Sequence, residues 1–306
     1  MSALAAAVQV LGGLALAPLL PGTVQALKAR MQGRRGPSPL QPYRELRRLW
    51  GKGLADPEPT TIVYRLAPCV VAAATALALL LVPIAGRAPD WPLGNDAIVL
   101  VGLLALARFA LAASSWDTGS GFALMGSSRD LTLAVFAEAL LLLAIVLAAL
   151  PVASTDLVSM NAAANGSAPW GEAAHWSAVA AFGLVILVET GRQPIDNPDT
   201  HLELTMIHEG PLLEYAGRDL ALLEWSVAAR HWIFLVLGAG LFLPHWGGFW
   251  AQLAWLAGGV TVLCAALALT ETAQAKMRIL RAPGLLLGGS LLALAGLVSW
   301  LLGAAA

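Results

Sequence analysis

The stretch Glu189-Thr190-Gly191-Arg192-Gln193-Pro194-Ile195-Asp196, running on to Leu213-Glu214-Tyr215, follows directly on an apolar run. Between positions 189 and 224 the chain holds eight carboxylates (Glu189, Asp196, Asp199, Glu203, Glu209, Glu214, Asp219, Glu224) and two histidines (His201, His208). Acidic groups at membrane depth are costly and mark an ion path, a substrate path or a protein-facing seam. A single anchor helix would not carry such a run. The 306-residue chain around it is 58% hydrophobic and 12% charged, whereas a soluble domain carries about 25% charge. The composition predicts an all-α, polytopic membrane protein.

Apolar windows long enough to span a bilayer (about 20 residues) fall at 3–27, 62–84, 96–115, 130–153, 173–191, 220–244, 249–271 and 284–303. They predict eight transmembrane helices. The first loop holds Lys28, Arg30, Arg34, Arg35, Arg44, Arg47, Arg48 and Lys52, the third Arg129, the fifth Arg192 and Arg218, and the seventh Lys276, Arg278 and Arg281. The even loops hold only Arg87. Basic loops stay in the cytoplasm, so both termini are expected on the opposite side. The reading is one transmembrane domain over 1–306, with a basic cytoplasmic loop at 28–61 and an acidic one at 192–219. The N-terminal apolar run lacks a small-residue cleavage site and reads as a retained helix. The Ser/Asn/Gly-rich segment 154–171 reads as an external loop. Cys69 and Cys264 lie in apolar runs without a CxxC, which excludes thiolate ligation of zinc or an iron–sulfur cluster by this chain.

Gly and Pro shape the first basic loop through Arg34-Arg35-Gly36-Pro37 and Leu40-Gln41-Pro42, ahead of a short basic amphipathic helix near 42–52. Anchoring on acidic lipid accounts for the charges. Docking a cytoplasmic partner through Arg30, Arg34, Arg35, Gly36, Pro37, Gln41 and Arg192 accounts for their order as well. Arg108 and Glu138 lie within apolar windows, where an unpaired charge costs roughly 3 kcal/mol or more. They are expected to pair, structurally or along a proton-conducting axis. Asp117 and Asp130 flank the expected loop from Trp116 to Arg129. Glu189 and Arg192 have helical ion-pair spacing, Pro194 breaks the helix, and Asp196-Asn197-Pro198-Asp199 reads as a turn and N-cap. A helix is expected from about 199 to 216, with His201, Thr205 and His208 on one face. His208-Glu209 opens like the HExxH zinc motif, but position 212 is Leu. These histidines suit proton relay or an interface. Glu224 is expected as a buried proton carrier, and Glu271 as a solvated residue near Lys276 and Arg278.

Glu189-Thr190-x-Arg192-x-Pro194-x-Asp196, Glu203-Leu204 and Glu214-Tyr215 resemble the signature of the membrane-anchor subunit of respiratory complex I, its subunit 1. Arg35-Gly36-Pro37 and Leu40-Gln41-Pro42 resemble the same family's first loop. Only Ser38-Pro39 separate those two elements here, and His201 stands where complex I has an acid. Asp196-Asn197-Pro198-x-Thr200-His201-Leu202-Glu203-Leu204-Thr205-Met206-x-His208-Glu209 and Ala275-Lys276-Met277-Arg278 are instead similar to the formate hydrogenlyase subunit 4 and hydrogenase-4 component C group. That resemblance implies an anchor and proton-coupling subunit of a membrane-bound [NiFe]-hydrogenase in a prokaryotic inner membrane. Its implied partners are hydrogenase large and small subunits, a ferredoxin-like iron–sulfur subunit and antiporter-like membrane subunits, in contact with the lipid bilayer and with no nucleic acid. It implies [4Fe-4S] clusters and the NiFe centre in those partners, no cofactor in this chain, and quinone unlikely. The implied proton path runs through Arg108, Glu138, Glu189, Asp196, Asp199, His201, Glu203, His208, Glu209, Glu214 and Glu224. Two alternatives stand beside it: a quinone-site subunit of NADH:quinone oxidoreductase, and an independent ion transporter, for which inverted repeats would be expected.

Overall fold

A computed structural model describes residues 11–58, 60–89, 94–165, 168–196 and 206–305, which are helical nearly throughout. Residues 11–16 are helical and turn at 17–18 into α1 (Leu19–Met31). There follow α2 (Gln41–Trp50), α3 (Ile62–Leu81), α4 (Ala97–Thr118), α5 (Gly121–Ala149), α6 (Leu157–Ala164), α7 (Ala173–Glu189), α8 (Gly217–Phe242), α9 (Phe249–Ala273) and α10 (Ala282–Ala305). Among the described residues, six helices are long and apolar enough to cross a membrane: α3, α4, α5, α8, α9 and a segment at 279–303. The chain is thus a multi-pass membrane protein. The fifth expected span is the apolar 17-residue α7, and the first begins outside the described residues.

Side-chain caps set several boundaries. Thr61 caps α3 by accepting from Val63 N. The Asp117 carboxylate, from the end of α4, accepts from Thr61 N (2.7 Å), Thr61 Oγ1 (2.9 Å) and Tyr64 N (3.1 Å). Asp96 caps α4 through Ile98 N. Asp156 caps α6 through Ser159 N, so segment 154–171 carries a helix where a plain loop was expected. The loop expected from Trp116 to Arg129 shrinks to Gly119 and Ser120. Gly119 (φ +64°) closes α4 in the left-handed conformation and α5 starts at once. Arg129 and Asp130 therefore lie inside α5. Polar residues 126–130 had hidden the start of this helix from an apolar window.

The centre of the bundle is α8, buried at every position from 233 to 242. Its Phe234 and Phe242 pack on Phe182 of α7, with ring centroids 6.2 and 4.9 Å apart. On other sides α8 meets α3 and α2, while α3 runs along α4, α5 along α7 and α10, and α1 along α9.

Residues 206–216 do not form the expected α-helix; they hold a short 3-10 turn at Gly210–Leu212 in otherwise irregular chain. Pro211 lies in this turn, where its missing N–H matters little. Asp199, His201 and Glu203 fall outside the described residues. Two contacts outside the ionic network help to fix the segment. Tyr215 stacks on Tyr64 (centroids 4.4 Å apart, planes 4° apart), Tyr64 donates to the Glu214 carbonyl (2.7 Å) and Tyr215 to the Tyr64 carbonyl (3.1 Å). Gly210 also lies against Gly126 of α5, so closely that a Cβ on either would sit 2.8 Å from the other's Cα. Gly126→Leu is therefore expected to destabilise the protein by about 1–3 kcal/mol through overpacking. Thermal unfolding in detergent checks this; an unchanged midpoint would show that the turn is not held by this approach.

Candidate functional site

Burying a charge requires a partner, and Arg108 of α4 has several. Its Nη1 donates to Glu138 Oε1 (2.7 Å) and its Nη2 to both oxygens of Glu189 (2.7 Å each), while Nε lies 3.4 Å from Asp130 Oδ2. A guanidinium suits this post because its planar fork serves several carboxylates at once. Arg230 of α8 adds a second cation 3.8 Å from Glu189. Glu138 and Asp130 come from α5, where positions 130, 134, 137 and 138 share one face. Glu189 ends α7 and is 4% exposed. Removing Arg108 from this set would leave buried carboxylate charge uncompensated, at a cost of about 3–5 kcal/mol.

From Asp130 the chain of contacts continues through His208. The imidazole Nε2 lies 3.6 Å from Asp130 Oδ1 and Nδ1 lies 3.2 Å from Asp196 Oδ2, which also accepts from the His208 backbone N–H. The other Asp196 oxygen accepts from Lys276 Nζ (2.9 Å). Gly191, at φ +61°, makes room for this ring: a Cβ there would lie 3.1 Å from Nδ1. Burial pushes the His208 imidazolium towards losing its proton, but the hydrogen bond to Asp196 and the charges of Asp130 and Asp196 outweigh it and hold the group above its ordinary value. Burial likewise favours protonated Asp196, but its hydrogen bonds to and the charges of His208 and Lys276 prevail and hold it well below the usual carboxylate range.

A second buried set adjoins the first. Arg192 donates from Nη1 to Glu271 Oε1 (2.8 Å), and Lys28 of α1 reaches the other Glu271 oxygen at 3.1 Å. Arg192 Nε and Nη2 lie 3.3 and 3.2 Å from His231 Nε2, while His231 Nδ1 lies 2.9 Å from the Val227 carbonyl. A carbonyl only accepts, so the ring proton is assigned to Nδ1, and Nε2 accepts from the guanidinium. Four parts of the fold thereby meet: α1, the loop after α7, α8 and α9. The same loop is tied to the segment before α10, where Met277 N donates to the Pro194 carbonyl (2.8 Å). A cavity of about 400 Å³ opens between these sets and α2, lined by Gln41, Glu45, Arg192, Asp196, His208, Glu209, Glu224 and His231 among others.

Several sequence expectations change here. Glu189 and Arg192 do not pair with each other. Helix α7 stops at Glu189 and Gly191 turns the chain, so Arg192 points to α8 and α9 rather than one helical turn along. Arg192, 3% exposed, is engaged inside the protein and is not part of an outward docking face. Glu224 is exposed on the cavity wall, where a buried carrier was expected. Glu271 is not solvated but 4% exposed at the centre of the second set. Among the described residues Glu214 joins no ion pair; its backbone serves Tyr64 instead. Glu209 lines the cavity. Arg30, Arg34, Arg35, Gly36 and Pro37 are exposed, and Gln41 donates to Glu45 (2.9 Å). Lys28, Arg230, His231 and Lys276 were missed as members of the networks; no short-range spacing marks partners that lie as far apart as Lys28 and Glu271.

These pKa directions set a pH window. Asp196 contributes stability present above the unfolded carboxylate value near 4 and lost as pH falls through its lowered folded value. His208 contributes stability present below about 6.5 and lost as pH rises through its raised folded value. The segment 206–216 is therefore expected to hold tightest between about pH 4 and 6.5. Hydrogen exchange of that segment should speed up on the alkaline side, after correction for intrinsic exchange, and His208→Asn should abolish this loss. A pH-independent protection factor would mean the contact is not ionic.

The chain matches a family model described as NADH dehydrogenase over residues 4–301. It is 35% identical to hydrogenase-4 component C of Escherichia coli over 233 residues (76% of this chain, 72% of the relative). It is 31% identical to formate hydrogenlyase subunit 4 of the same organism over 280 residues (89% and 86%). NADH-ubiquinone oxidoreductase chain 1 of Oncorhynchus mykiss is 28% identical over 220 residues (70% and 66%). Among solved structures, a chain of the membrane-bound sulfane sulfur reductase, an archaeal respiratory membrane complex, superposes with a TM-score of 0.82 at 20% identity, covering 96% of this chain and 98% of that one.

Proposed function

For a chain that belongs to the NADH dehydrogenase family of complex I subunit 1-like membrane proteins, we propose the role of membrane-anchor and proton-coupling subunit in a membrane-bound [NiFe]-hydrogenase of the hydrogenase-4 or formate hydrogenlyase type. The carrying observation is the run of contacts Glu138–Arg108–Asp130–His208–Asp196–Lys276, buried at Arg108 and Asp196 and half-buried elsewhere, flanked by Glu189 and Arg230 and bordering the cavity. Identity to the two bacterial hydrogenase subunits over most of the chain supports the branch.

In this reading eight helices cross a prokaryotic inner membrane with both termini outside, and the basic face lies in the cytoplasm. The exposed loop with Arg34, Arg35, Gly36 and Pro37 meets the soluble arm of hydrogenase and iron–sulfur subunits. Antiporter-like subunits flank the membrane part, and the metal centres belong to the partners. A change of charge in that arm acts on the cavity, where an imidazole between two carboxylates can give a proton to one and regain it from the other. Arg108 places a fixed positive charge beside its carboxylates, so a proton moving past them displaces charge in a medium that screens it poorly. Asp199, His201 and Glu203 extend the path on the sequence motif alone. Quinone chemistry is not part of this reading, because the short first loop and His201 depart from the complex I pattern.

His208→Gln and Asp130→Asn are expected to leave the complex assembled but lower gradient-coupled hydrogenase activity about ten-fold or more, within the range for loss of a positioned proton-transfer group. Wild-type activity and gradient in both variants would make these residues structural. Arg34→Ala with Arg35→Ala should release the soluble arm in a salt wash. Mass spectrometry of the gently purified complex tests the assignment itself. A partner with two CxxC pairs and hydrogen-dependent dye reduction supports the hydrogenase. A flavin subunit with bound quinone points to complex I, and a lone stable chain to a transporter.

A further inference from the structure

The basic residues of segment 28–61 fall on two different surfaces. Arg34 and Arg35 stand on the exposed Gly-Pro loop, where Arg34 Nε donates to Gln32 (2.7 Å). Arg44, Arg47 and Arg48 stand on α2, where the helical period sets them on one arc beside an apolar arc of Pro42, Leu46, Leu49 and Trp50. Leu49 is buried against the body, whereas Trp50 is 57% exposed. Between α2 and α8 lies a largely apolar cleft of about 570 Å³, lined by Leu46, Arg47, Trp50, Leu222 and Trp225. Trp225 Nε1 already donates to the Leu14 carbonyl (3.2 Å), so its ring has only apolar surface left for the cleft. Among the described residues the side chains of Arg44 and Arg47 have no ionic partner, and Arg48 pairs only with Glu45 of its own helix.

We propose that α2 and this cleft bind an anionic phospholipid of the bilayer the chain crosses, with one acyl chain in the cleft and the phosphate against Arg44 and Arg47. An acidic soluble partner would match the arginines but leave the tryptophan-walled cleft beside them unused. A neighbouring apolar helix would fill the cleft and have no need of the arginines. A molecule that joins an anionic head to a hydrocarbon tail matches both at once. Basic amphipathic helices lie in the plane of the membrane interface, tryptophans concentrate at headgroup level, and a guanidinium binds phosphate through its fork. The two halves of the basic segment thus take different ligands: the Gly-Pro loop is left to the soluble arm, and α2 belongs to the lipid.

The test uses the full chain in nanodiscs with equal phosphatidylglycerol and phosphatidylcholine, and native mass spectrometry to count retained lipid. Wild type should retain phosphatidylglycerol preferentially. Arg44→Gln with Arg47→Gln should reduce that preference about five-fold per arginine, from the strength of one basic side chain on an anionic surface. Arg34→Gln with Arg35→Gln should leave it unchanged, and Trp50→Ser should lower retention of both lipids alike. Circular dichroism confirms the fold of each variant. Equal retention of the two lipids by wild type overturns the proposal. So does an equal loss in the Arg34/Arg35 pair, which would reveal only a general charge effect. Loss of a soluble subunit without loss of lipid, when the α2 variant is purified from cells, overturns it in favour of a protein partner.

Discussion

Arg108 imposes the main constraint, since a guanidinium held 5% exposed among apolar helices needs carboxylates placed around it. One of them comes from the end of α7 and two from α5, so the register of three helices is coupled at a single point. Close approach of α5 and the 206–216 segment at Gly126 and Gly210 then brings His208 to Asp130. The Tyr64–Tyr215 stack holds the far end of that segment to α3. Glycine at these contacts and the left-handed turn at Gly191 belong to the same construction, because each removes a side chain from the space the polar groups occupy.

The second set, Lys28–Glu271–Arg192–His231, performs a different task. Its members come from distant parts of the chain and close the bundle between α1 and α9. It also fixes Arg192, and with it the loop that carries Asp196. Geometry distinguishes the two sets: in the closing one the imidazole of His231 faces a guanidinium and a backbone carbonyl, whereas the Asp130–His208–Asp196 run has an imidazole with a carboxylate on either side. A group that titrates between two acceptors can pass a proton; a guanidinium cannot.

The helices and their limits were largely legible. Windows at 62–84, 96–115, 173–191, 220–244, 249–271 and 284–303 fall on observed helices, because continuous apolarity is the direct cost-free solution for a chain in hydrocarbon. The amphipathic α2 was legible as well, through its segregated arginines. Where polar residues serve protein-facing surfaces, hydropathy misleads: α5 begins nine residues before its window, since Gly126, Ser127 and Asp130 face neighbouring chain rather than lipid. Within the site, Arg108, Glu138, Glu189, Asp196 and His208 were singled out as charged or titratable groups in or beside apolar runs, and of their pairings only that of Arg108 with Glu138 was expected.

By itself the sequence determined that the chain lives in a membrane, where most of its long apolar helices run, and which branch of a family its motifs resemble, because these depend on local composition and short spacings. Only the tertiary structure decided that Glu189 pairs with Arg108 and not with Arg192, that Glu271 is buried, and that Glu224 opens onto a cavity. Ion pairing follows proximity in three dimensions. A single left-handed residue, Gly191, turns the chain enough to exchange the partner three positions away for one 79 positions away.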